Sequence, residues 1–216
     1  MTNQRNTNMK KGLLLVLMCV VFVSGSAQNA IGIKAGVNFA SMSLDLEDEF
    51  GEGVSTAINP LLMASIISKI ELSYAVDLIL ELGLVQRGYK VVADEDGFEA
   101  ELITTFNQLH FSPGLGFNLS DQFSLGIGPY IGYATKFKDT LKFSEEGIEG
   151  SETYKEDFED DNKFDYGANF NLNYLIDDAL LITTGYSLGI MDYYEEESSY
   201  SVRNTGIMIS IGYLFN

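Results

Sequence analysis

From about residue 30 onward, apolar and polar or small residues alternate with a period of two, the spacing at which successive side chains of a β-strand point to opposite faces. The clearest case is the C-terminus: Ile207, Ile209, Ile211, Tyr213 and Phe215 interleave with Met208, Ser210, Gly212 and Leu214. Phe123, Leu125, Ile127, Ile131 and Tyr133 alternate with Ser124, Gly126, Gly128, Tyr130 and Gly132, and Phe164, Tyr166, Ala168, Phe170, Leu172 and Tyr174 with Asp165, Gly167, Asn169, Asn171 and Asn173. Strand-like segments can be drawn at 31–41, 58–71, 76–92, 101–119, 123–137, 163–175, 180–191 and 201–215. They are even in number and longer than the five or six residues usual for a soluble sheet. The connections 72–75, 120–122 and 176–179 are tight, whereas 42–57, 93–100, 138–162 and 192–200 are long and polar. Short turns on one side and long loops on the other characterise outer-membrane barrels.

Alternation by itself leaves two choices, a soluble sandwich or lipocalin-like barrel with the apolar face inside, or a membrane barrel with that face in lipid. Strand length, loop asymmetry and aromatic residues near strand ends favour the second. Phe39, Tyr89, Phe111, Phe117, Phe123, Tyr133, Phe137, Phe164, Tyr174, Tyr213 and Phe215 are candidates for interfacial girdles. In hydrocarbon every backbone donor and acceptor must be paired within the protein, and a sheet achieves this only by closing. The expectation is an all-β fold, an eight-stranded antiparallel up-and-down transmembrane β-barrel, last strand beside first. Side chains fill a barrel of that size, so its inward set should be small or polar.

The N-terminus carries an address. Arg5, Lys10 and Lys11 precede an uncharged run, 13–23, followed by Ser24-Gly25-Ser26-Ala27, the pattern of a secretory signal peptide and about half the length of a transmembrane helix. The expected organisation is a signal peptide at 1–27, cleaved after Ala27, and a barrel domain at 28–216. Met18 before Cys19, the sole cysteine, argues against lipid anchoring, and cleavage leaves 189 residues with no thiol for catalysis, metal or redox work.

With 13 basic and 31 acidic residues the chain has a net charge of −18, which excludes nucleic acid as a partner. The four long connections hold 23 of the 31 acids. This acidic crown has two readings: a solvated, repulsive rim, or a surface that gathers divalent cations bridging to lipopolysaccharide or that receives a basic protein. Neither 156–162 nor 94–97 has the spacing of a calcium loop.

The opening Ile31-Gly32-Ile33-Lys34-Ala35-Gly36-Val37-Asn38-Phe39-Ala40-Ser41, the segment Leu80-Glu81-Leu82-Gly83-Leu84-Val85-Gln86-Arg87-Gly88, Leu109-His110-Phe111-Ser112-Pro113, Leu125-Gly126-Ile127-Gly128-Pro129-Tyr130-Ile131-Gly132-Tyr133 and the terminal Gly212-Tyr213-Leu214-Phe215 resemble the PorT-like outer membrane β-barrel proteins of Bacteroidetes-type bacteria. His110, Ser112 and the terminal Asn216 depart from that pattern. The resemblance implies an outer-membrane location and fold, a link to secretion machinery by analogy, and no shared catalytic residues.

His110, the only histidine, shares a strand face with Ser112, which sketches half of a hydrolytic pair. The competing expectation is a lumenal hydrogen-bond and ion network that includes Lys34, Glu81 and Arg87, because buried charges are normally paired. Glu81 and Arg87 lie on one face but about 20 Å apart along the strand, so each must pair with neighbouring strands. One histidine and no mature cysteine cannot build a usual zinc site. The reading is therefore a non-enzymatic envelope protein with a structural or surface-interaction role, with no catalytic, cofactor-binding or metal residues and with membrane lipid and lipopolysaccharide as partners. The alternatives are an outer-leaflet lipid or peptide hydrolase using His110, and a narrow transporter for a small hydrophobic or cationic solute.

Overall fold

A computed structural model describes residues 29–43, 54–95, 98–145, 148–156, 163–191 and 203–215. The proposed signal peptide and much of the acidic crown lie outside these. Among the described residues the strands are β1 (Asn29–Ser43), β2 (Val54–Ala57), β3 (Asn59–Ser73), β4 (Val76–Glu95), β5 (Phe98–Asn118), β6 (Phe123–Glu145), β7 (Ile148–Glu156), β8 (Phe164–Ile176), β9 (Leu180–Gly189) and β10 (Arg203–Phe215). Eight of them close a ring in the order β1-β3-β4-β5-β6-β8-β9-β10, antiparallel throughout, with β10 returning to β1 from Ile31↔Phe215 to Ser43↔Arg203. The ring leaves no unpaired edge at membrane depth, as an apolar solvent demands.

Alternation resolves as the membrane reading requires. On β9 and β10 exposed and buried positions alternate without a break, and Ile207, Ile209, Ile211, Tyr213 and Phe215 all face outward. The outward apolar stretch from Ile31 to Phe39 on β1, and from Ile207 to Phe215 on β10, matches the nine to eleven residues that a tilted strand needs to cross a bilayer. Aromatic pairs mark both rims: Phe123 stacks on Tyr174 at 4.6 Å and Tyr213 meets Phe215 at 5.3 Å at one end, and Tyr133 meets Phe164 at 5.3 Å at the other. Two candidates for the girdle are corrected. Tyr89 and Phe137 lie beyond the band and share their sheet face with buried Thr104 and Phe106, because they belong to strand that continues past the membrane.

The tight turns sit where expected. Asp177 and Asp178 both take positive φ, 50° and 56°, between Ile176 and Ala179, whose backbone hydrogen bond closes a two-residue hairpin; Asp tolerates that conformation and the turn's twist matches the flanking strands.

The long connections need a larger correction. Segments 93–100 and 138–162, read as loops, are largely strand: β4 and β5 stay in register to Glu95↔Phe98, and β6 runs to Glu145 before turning into β7. β2, within a segment also read as loop, pairs with β4 beyond the end of β3. The result is a five-stranded sheet, β2-β4-β5-β6-β7, extending from one side of the barrel. Its acids masked the alternation, but Val91, Leu102 and Leu141 stand in one register row between Thr56 and Glu152, and pairing outside the membrane tolerates such mixed rows.

Candidate functional site: the sealed lumen

The inward faces of the ring strands carry many small and polar side chains beside the apolar clusters Met63–Val85–Met208 and Ile67–Leu181–Leu214, and where polar groups meet they bond to one another. Arg87 on β4, 1% exposed, donates through Nε to Gln108 Oε1 at 2.9 Å and through Nη2 to Ser187 Oγ at 2.9 Å across the lumen. Gln108 on β5, fully buried, donates to Asp165 Oδ2 on β8 at 3.0 Å, and Arg87 Nε lies 3.7 Å from the same carboxylate oxygen. Tyr130 on β6 donates to Asp165 at 3.3 Å and Asn204 on β10 at 3.4 Å. The guanidinium also lies 4.7 Å above the Tyr130 ring, which stacks on His110 at 4.9 Å. One carboxylate and one guanidinium thus tie together six of the eight ring strands. A buried ion pair is stable only when its remaining donors and acceptors are met, and here uncharged amides and hydroxyls meet most of them.

Closer to the turn end, Lys34 on β1 donates to Glu81 Oε2 on β4 at 2.6 Å, and Ser65 on β3 donates to Glu81 Oε1 at 2.8 Å. Ile67, Leu181 and Leu214 pack below this pair, with Ala30, Ile79 and Leu175 against them. At the mouth, Lys69 lies 3.1 Å from Asp77. The space around the Lys34–Glu81 pair is a cavity of about 40 Å³ lined by Ile67, Asn171, Asn173 and Leu214 among others. A vestibule of about 840 Å³ at the turn end, lined by Lys69, Tyr74, Asp121 and Asp178, stops at this layer.

The predicted network therefore forms, with an altered membership. Lys34 pairs with Glu81, and Arg87 reaches residues of β5, β6, β8 and β9, so Glu81 and Arg87 do look away from each other. His110 joins through other groups. Its Nδ1 is 3.5 Å from Gln108 Oε1 and its Nε2 3.3 Å from Asn169 Nδ2, an arrangement that fits an imidazole protonated at Nδ1. Asn169 Nδ2 also donates to Ser112 Oγ at 3.0 Å, and that hydroxyl donates to Pro129 O at 3.2 Å. Asn169 thus stands between histidine and serine, and both are buried, His110 at 3% exposure. The geometry builds no nucleophile–base pair. Among the described residues no three His, Cys, Asp or Glu side chains are grouped to hold a metal ion.

Gln108, Asp165, Asn169, Tyr130 and Ser187 were not assigned to the network from sequence. Parity held the signal: Gln108 precedes His110 by two residues, and Asp165 heads the polar face that runs through Asn169 to Asn173.

The model of a family described as an outer membrane protein beta-barrel domain matches residues 26–195. Among solved structures, the chain is similar to Ail, the attachment invasion locus protein of Yersinia pestis, at 14% identity over 87% of this chain and 99% of that one, with a TM-score of 0.43. It is similar to Neisserial surface protein A at 12% identity over 87% and 97%, TM-score 0.42, and to OprG from Pseudomonas aeruginosa at 11% over 87% and 94%, TM-score 0.34. No curated protein sequence matches it.

Proposed function

The chain belongs to the outer membrane protein beta-barrel family and is placed in the outer membrane, and from that premise we propose that it is a non-enzymatic envelope protein whose sealed barrel holds a β-sheet outside the membrane for surface interaction. The observation that carries this reading is the Arg87–Gln108–Asp165 layer, whose side chains are at most 1% exposed and span the lumen. A transported solute would have to break a buried ion pair, and a hydrolase would need the separated His110 and Ser112 to meet. The tight turns, the start of β1 and the end of β10 are assigned to the periplasmic side, after removal of a signal peptide at 1–27, and the sheet to the exterior.

Within the family, the strand motifs around Ile31–Ser41 and Leu80–Gly88 support a PorT-like assignment, which carries an analogy to secretion machinery. Membrane lipid and lipopolysaccharide are the assigned partners. The acidic crown is read chiefly as a repulsive, solvating rim, with divalent cations or a basic protein as the ligands it would suit.

Reconstitution into planar bilayers tests the sealed lumen: the folded protein should give no steady single-channel conductance, and ion-like conductance by the intact barrel would favour the transporter. His110→Ala tests the other alternative. A lipid or peptide hydrolysis activity abolished by this change, in a protein that still migrates differently on gels before and after heating, would overturn the non-enzymatic reading.

A further inference from the structure

Charge on the outward surface is distributed unequally between the two edges of the apolar band. At the turn end the exposed charges are acidic, Glu71, Asp121, Asp177 and Asp178, and Lys69, the cation nearest that edge, pairs with Asp77. Among the described residues the exposed cations, Lys138, Lys142 and Arg203, all stand at the opposite end. In a chain of net charge −18 this placement requires a cause beyond solubility, which acids supply better than lysines.

The register gives the positions. On β5 the outward apolar face ends at Leu109, and the next outward residue, Asn107, accepts from Gln86 Nε2 at 3.1 Å, a polar row that closes the band. Lys138 stands opposite Thr105, about 13 Å along the strand from Leu109 and about 10 Å higher at the usual tilt. Thr104 donates to Asp139 at 2.6 Å on the inner face, which fixes Lys138 on the outer one. Two rows above, Glu101 lies 2.5 Å from Lys90 and 3.7 Å from Lys142, so two cations surround one acid. Lys136 and Lys155 occupy register positions opposite Asn107 and Lys138. Among the described side chains of this outward face, the acids without a cation partner, Asp94 and Glu99, come at the tip of the sheet. On the outward face the lysines thus sit next to the membrane and the acids away from it.

We propose that Lys90, Lys138 and Lys142 form a docking surface for the phosphate groups of a polyanionic lipid in the outer leaflet, the lipid lying against the apolar wall below. The proposal deepens the lipid-partner reading above and rests on it, but assigns the contact to these lysines rather than to cations held by the acidic crown. Charge complementarity at a defined height, with opposite charge at the other rim, is what selects this occupant.

The test uses the folded full chain in neutral detergent micelles, with bisphosphorylated lipid A and its dephosphorylated form as probes and native mass spectrometry as the readout. Unchanged protein should retain the phosphorylated probe about tenfold better than the other. K90Q/K138Q/K142Q should lose that preference, with K138E alone lowering it, while D121N/D177N at the other rim should leave it unchanged. The preference should also survive EDTA. Equal retention of the two probes, or a preference that persists in the triple variant, overturns the proposal. A preference that EDTA abolishes overturns it too, and supports cation bridging by the crown instead. Heat-dependent gel migration of every variant separates a lost site from a lost barrel.

Discussion

Arg87 decides how the lumen is closed. Its guanidinium touches Gln108, Ser187, the Asp165 carboxylate and the Tyr130 ring, so its removal leaves an aspartate buried without a cation. Arg87→Met should cost about 3 to 5 kcal/mol, read as a lower temperature for the heat-dependent gel shift. The double change Arg87→Met with Asp165→Leu should recover much of the loss, because an apolar pair of similar volume needs no partner. If the double variant is as unstable as the single one, the ion pair is not what the layer depends on. Gly88, the next residue, is constrained differently. It has φ of +144°, and a Cβ there would stand 1.9 Å from Thr104 O, so only glycine passes from barrel wall to outer sheet at this point. Gly88→Ala should cost about 1 to 3 kcal/mol of strain, seen as faster hydrogen exchange of β4 and β5 beyond residue 88 with the ring below unaffected.

At the scale of the element, the outer sheet is held by backbone pairing and by few charges in water. Phe143 covers Gly150 across the β6–β7 pair, an aromatic ring shielding a residue that has no side chain. The hydrogen bond from Lys90 holds the Glu101 carboxyl below its ordinary value of 4.5; Lys142 acts the same way and partial burial opposes both. A depressed folded-state value means the carboxylate stabilises the sheet fully above about 4.5 and progressively less as pH falls through the lowered value. A carbon-detected NMR titration should therefore place Glu101 below 4.5, with Lys90→Met moving it upward. Hydrogen exchange in the sheet should quicken at acid pH before the ring strands respond. A Glu101 titration that Lys90→Met leaves unmoved would remove the Lys90 contact from the account.

For the whole molecule, the solvent of the outer wall is lipid, and cost should follow depth. Ile211 lies midway along the outward stretch of β10 and Thr205 just beyond its upper end. Ile211→Lys should destabilise the folded barrel by about 2 to 4 kcal/mol and Thr205→Lys by about 0 to 1, measured by reversible unfolding from phospholipid vesicles. Equal costs would mean that β10 does not cross a bilayer. The closed ring also explains why the lumen can afford so many charges: the wall keeps lipid from them, and Lys34–Glu81 and Arg87–Asp165 answer each other across strands far apart in sequence.

Period-two alternation, run length and tight turns determined the ring, because each is local and a lipid-facing wall must write its apolar face into every strand. The same parity put His110, Lys34, Glu81 and Arg87 in the lumen. Tertiary structure decided which of them touch. Asp165 meets Arg87 across 78 residues of chain, a distance set by ring closure and strand stagger that no single strand records. It also decided that acidic segments such as 93–95 and 138–145 continue as sheet, since strands in water are specified by their neighbours across the ladder more than by their own hydrophobicity.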